Sequence, residues 1–163
     1  MANLSNLPSH ARIWVYAADR SLTVSEAAEI QQAIRLFTSS WTAHDIPLEA
    51  AGEILFNQLV LFAVNEQTHP ISGCGIDKSV KIIKDLGEKL NLNFFNRMQV
   101  LVLKGETLET HSKASLQEAI DNGSLDQTAL VFNPLVQTKG DFEEKGFVPL
   151  STFWMASQLN FAV

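Results

Sequence analysis

The chain has 163 residues, 46% hydrophobic and 18% charged, with a net charge of −6, enough for one core, and it reads as a single domain over 1–163. An acidic balance with no run of Lys and Arg excludes electrostatically driven binding to nucleic acid or anionic lipid. One cysteine excludes an internal disulfide. The opening "MANLSNLPSH" lacks the charged start and apolar core of a signal peptide, and apolar runs such as 59–64 are too short to span a bilayer. The expected location is the cytoplasm, without membrane insertion.

Residues 1–11 read as a loose polar arm, followed by a strand at "RIWVYAA" (12–18), a short apolar run rich in β-formers. Thr23 and Glu26 form a capping-box pattern, and Ala27, Ile30, Ile34, Phe37 and Trp41 recur on one face of a first helix. "LEAAGEILF" (48–56) alternates as an edge strand should, and "NQ" joins it to the continuously apolar "LVLFAV" (59–64). Ile76, Val80, Ile83, Leu86 and Leu90 make the apolar stripe of a second helix, with Asp77–Lys81 and Lys84–Glu88 as pairs four apart and Asn91 as its left-handed end. "RMQVLVL" (97–103) is a fourth strand; then come a short helix (115–122) stopped by Gly123, a strand (128–136), an acidic surface segment (141–146) and an apolar terminal segment.

The order βαββαβ over 12–103 is the pattern of a ferredoxin-like two-layer sandwich, an α+β fold, with 104–163 as a C-terminal α/β extension. That fold puts its first and third strands at the centre of the sheet, and these are the two continuously apolar ones. A bare sheet of this kind leaves one face uncovered, so residues 128–163 or a second subunit are expected to cover it.

The chemistry-bearing residues gather at "HPISGCGIDKSV" (69–80). Cys74 at a helix start gains from backbone amides, which raises its thiolate fraction, and Gly73 and Gly75 let an oxyanion approach those amides. His69 or His44 then serves as base. Against this, Ser72 or Cys74 caps the helix, Asp77 supplies the carboxylate a helix start favours, the glycines allow a sharp turn, and free cysteine commonly behaves as a small apolar group. His10, His44, His69 and His111 show no metal-ligand spacing, and His44 in "TAHD" suits the carbonyl end of the first helix. Neither GxxxxGK[ST] nor GxGxxG occurs, so no phosphate loop and no cofactor are implied, although "SGCGID" suits a small anionic ligand. Trp14 and Tyr16 share a face of the first strand, but the third offers only Phe62 and no cation, so core or a dimer contact is expected rather than RNA stacking.

"RIWVY", "WTAH", "SGCGIDKSV", "VFNPLV" and "VPLSTFW" together resemble a family of short bacterial proteins of uncharacterised function whose members often carry the label ABC transporter ATPase. The resemblance spans roughly Arg12 to Leu159, and its most specific piece is Ser72–Asp77. The label implies a nucleotide-binding subunit. This chain departs from that at each motif: it has no Walker A loop, no "LSGGQ" and too few residues. Where relatives often carry a histidine after the C-terminal tryptophan, Met155 follows Trp154.

The reading is therefore a non-catalytic module that binds a small ligand or a protein partner through Ser72, Gly73, Cys74, Gly75 and Asp77 together with Trp154. The alternative is an enzyme using Cys74 as nucleophile or redox thiol; a third reading is a homodimer whose sheet face is the interface.

Overall fold

The computed structural model describes residues 3–161. The first two residues of the expected arm and the last two of the terminal segment lie outside the described residues. The strands are β1 (Arg12–Ala17), β2 (Thr42–Ala43), β3 (Ile46–Pro47), β4 (Ala50–Leu55), β5 (Leu59–Val64), β6 (Val100–Lys104), β7 (Thr107–His111), β8 (Leu130–Phe132) and β9 (Phe147–Pro149). The helices are α1 (Val24–Ser40), α2 (Gly73–Leu90), α3 (Lys113–Asp121) and α4 (Lys139–Lys145).

Helix ends form where the sequence supplies caps. Thr23 and Glu26 exchange both capping-box bonds at α1, and Asn91 ends α2 at φ 55°. The stripe residues Ile30, Ile34, Ile83 and Leu86 then meet Val60, Phe62 and Val64 of β5 in one core. Lys81 pairs with Asp85 at 2.9 Å rather than with Asp77. The segment 141–146, expected as a solvated surface stretch, falls for the most part in the helix Lys139–Lys145, which starts where Thr138 accepts from the Asp141 amide.

The chain is a mixed α+β protein built on two antiparallel sheets, ordered β1-β5-β4 and β7-β6-β8-β9, beside a β2-β3 hairpin. Three strands thus stand in the ferredoxin-like order. The fourth does not join them, which corrects that expectation. β6 pairs with β7 and β8 instead. The reason lies in its two apolar faces: Leu101 packs toward the first sheet while Val100 and Val102 pack toward α3 and the C-terminal segment. A centre strand of its own sheet buries both faces and bonds both edges. The strand expected within 12–103 therefore belongs to one sheet with strands from 104–163.

The layers run α1 and α2, first sheet, second sheet, then α3 with the C-terminal segment. Ile13, Leu59, Leu61 and Ala63 meet Leu101, Leu108, Phe132 and Val136 between the sheets. The face that needed a cover is thus covered by β6, β7 and the C-terminal third. The arm is not loose where described: Leu7 is buried in the same layer, and its carbonyl accepts from Lys139 Nζ at 2.7 Å.

Candidate functional site

Ser72 is the N-cap of α2, its hydroxyl accepting from the Gly75 amide at 3.2 Å. Cys74 lies in the first turn and is exposed. The glycines are not there for a sharp turn, since neither has a positive φ. Gly75 is needed for closeness: a Cβ there would sit 2.8 Å from Ile71 Cγ1, and the Trp41 indole donates to its carbonyl at 2.9 Å. Gly73 has open space beside it. Asp77 falls in the second turn, beyond the free amides, so it does not cap the helix.

His44 is not at a helix end. α1 stops at Ser40, and His44 (φ 51°) and Asp45 (φ 64°) form the left-handed tip of the β2-β3 hairpin, exposed to solvent. His69 is half-buried before Pro70. Among the described residues, no hydrogen bond joins Cys74 to either histidine, and no group of His, Cys, Asp and Glu could hold a metal ion.

Trp154 stands elsewhere, in a groove of about 650 Å³ that Ser72–Gly75 and Asp77 do not line. This volume is in the range of small-molecule sites. Its floor is made by Phe94, Phe132 and Phe153, all buried; Trp14 and Tyr16 of β1 are half-buried along one side. Phe95 and Trp154 remain 45% and 41% exposed, as large apolar rims open to a ligand. Ile76 and Val80, the N-terminal half of the α2 stripe, line the groove rather than the core.

Polar groups in the groove are few. Ser79 gives its proton to the Ile76 carbonyl (2.7 Å) and so accepts from the Tyr16 hydroxyl (3.0 Å), which pins α2 onto β1. Burial raises the Tyr16 pKa above its ordinary value against the opposing Ser79 bond, so the phenol stays neutral. Arg97 is the one charged residue lining the groove and has no ion-pair partner among the described residues. Gln99 Nε2 donates to the Ala17 carbonyl at 3.2 Å, while Gln99 Oε1 is buried without a partner among the described residues. Such an orphan acceptor costs about 1–3 kcal/mol until something donates to it.

One further cluster escaped sequence reasoning. His111 Nδ1 lies 3.0 Å from Ser115 Oγ, and its Nε2 lies 2.5 Å from Glu109 Oε1. The types and order match a nucleophile, base and orienting acid. The Ser115 hydroxyl, however, accepts from the Ser112 amide in the α3 capping box and does not line the neighbouring cavity. The cluster serves to fasten β7 to α3.

Comparison with protein-family models, curated proteins and solved structures finds no match. The groove's chemistry therefore carries the reading. No helix among the described residues is long and apolar enough to cross a membrane.

Proposed function

We propose that the protein is a non-catalytic cytoplasmic binding module whose ligand site is the aromatic groove between β1, α2 and the segments holding Pro134 and Trp154. The observation that carries this reading is the groove itself: exposed Phe95 and Trp154 stand over a buried aromatic floor beside one cation with no ion-pair partner among the described residues. Aromatic walls give a large contact area at low entropic cost, and Arg97 favours a ligand bearing a negative charge. The family resemblance adds the expectation of a nucleotide-binding subunit, but the chain has no phosphate loop to hold a nucleotide triphosphate, and no ATP turnover is expected.

Anilinonaphthalene sulfonate, an aromatic anion, tests the site directly. Saturable fluorescence is expected with the folded protein, together with a higher melting temperature, and both should fall with Trp154→Ala. Binding that ignores this substitution would place the apolar site elsewhere.

A further inference from the structure

With the groove as the ligand site proposed above, the backbone that borders it sets the class of ligand. β1 is an edge strand, and its hydrogen bonds alternate. The Ala18 amide donates to the Gln58 carbonyl at 2.9 Å, in register with the pairs Trp14–Phe62 and Tyr16–Val60. Even-numbered residues therefore bond β5, and the amides and carbonyls of Ile13, Val15 and Ala17 point outward.

At the start of the strand these outward groups are used. The Ile13 amide donates to Gln137 at 3.0 Å, and the Lys139 amide donates to Ala11 at 2.8 Å. Past the single bridge Arg12–Thr138 the neighbouring chain leaves β1, turning through Pro134, which has no amide to offer. Val15 N–H and C=O and Ala17 N–H have no partner among the described residues, and both residues line the groove. This vacant flank is where a ferredoxin-like sheet would carry its fourth strand.

We infer that the groove takes an extended, alternately apolar peptide segment bearing an acidic group, added as a fourth strand along the open edge of β1. Free backbone groups recurring about 6.8 Å apart, every second residue, match another backbone better than they match a compact molecule. The groove also wraps the edge. Trp14 and Tyr16 line it from one face of the sheet, Leu101 and Phe132 from the other, so both sets of alternate side chains on an added strand find apolar walls. Gln99, whose Nε2 already donates to Ala17 and whose buried Oε1 has no partner among the described residues, accepts a further peptide amide there. Arg97 supplies charge complementarity to the acidic group. A second copy of β1 fits less well, because residues 137–139 already occupy the edge at Ala11 and Ile13 and leave only the stretch at Val15 and Ala17 open, too short for two whole strands to pair.

The test uses an array of heptapeptides alternating Phe, Leu or Val with Thr, one Asp placed at each position in turn, and the best binder in solution with isotope-labelled protein. Amide exchange at Val15 and Ala17 is expected to slow at least tenfold on binding. N-methylation of the peptide at alternate residues should lower affinity at least tenfold, while the residues between tolerate it. Arg97→Gln should weaken Asp-bearing peptides more than Asp-free ones. Val15→Pro, which removes an outward amide and no bond to β5, should abolish binding; if it does not fold, the N-methyl scan decides. Tolerance of N-methylation at every position would overturn strand addition. So would failure of the whole array while anilinonaphthalene sulfonate still saturates the groove, and then the ligand-site reading survives. If neither probe binds, both fall. Amides of Val15 and Ala17 already protected without peptide, in a protein that sediments as a dimer, would assign the edge to a second copy and overturn the proposal.

Discussion

The two edges of the first sheet offer the same backbone and opposite surroundings. On β4, Asn65 donates to Glu49 at 2.9 Å, so odd-numbered residues face β5 and Ala50, Gly52 and Ile54 turn outward. A groove of about 440 Å³ runs there too, lined by Asn3, Gln31, Arg35, Thr38 and Glu53. Charged side chains such as Arg35 and Glu53 at an edge discourage another strand from pairing. Gly52 also brings that edge under Ile34 of α1, where a Cβ would collide. The groove at the β1 edge, by contrast, is lined mainly by aromatic and aliphatic side chains, with the amides of Asn96 and Gln99 and one charge, Arg97. Open backbone groups are common to both edges; what flanks them selects the ligand.

The strongest challenge to this contrast removes the core side chain at the centre of the sheet between the two edges. Phe62, fully buried at the centre of the sheet, touches Tyr16, Phe37 and Trp41. Phe62→Ala should cost about 3–5 kcal/mol in urea denaturation. A cost below about 1 kcal/mol would mean the edges are not built on one rigid centre.

Surface substitutions separate the edges. Phe95→Ala should weaken anilinonaphthalene sulfonate about tenfold, or about 1.4 kcal/mol, with little change in stability. Arg35→Ala on the β4 side should leave that titration unchanged. Equal losses from the two would erase the distinction.

A smaller effect concerns α1, which packs on β4. Glu26 is held at a pKa of about 2, first by the Arg20 guanidinium at 2.8 Å and then by the Thr23 amide. Its folded value lies below the ordinary 4.5, so its contribution is present above that pH and lost as pH falls toward about 2. Melting temperature should therefore drop across this window, and Glu26→Gln should flatten the drop. An unchanged slope in the variant would assign acid sensitivity to other carboxylates.

The smallest effect is expected at Cys74. Cys74→Ser on the exposed first turn of α2 should shift stability by no more than about 0.5 kcal/mol and leave groove binding intact. Rapid alkylation by iodoacetamide at pH 6 in the folded protein would instead favour the nucleophile reading.

Local chemistry was readable from the chain alone. Thr23 and Glu26 announce a helix start, Asn91 announces an end, and the run Leu59–Val64 announces a strand buried on both faces, because each signal comes from residues within a few positions of one another. Even Cys74 lay where its cap predicted, in the first turn of α2. The same periodicity could not say that Ile83 meets the core while Val80 on the same stripe meets an open groove. Nor could it say that β6 prefers β8 to β1. A two-faced apolar strand is satisfied beside any neighbour that bonds its edges and buries its faces, and its own residues do not choose among them. That choice falls to contacts between segments far apart in the chain, where the segment before Gln137 leaves β1 after one bridge and Trp154 comes to line one groove with Val15. The vacancy beside β1 is a property of the assembled layers, and no window of sequence contains both of its walls.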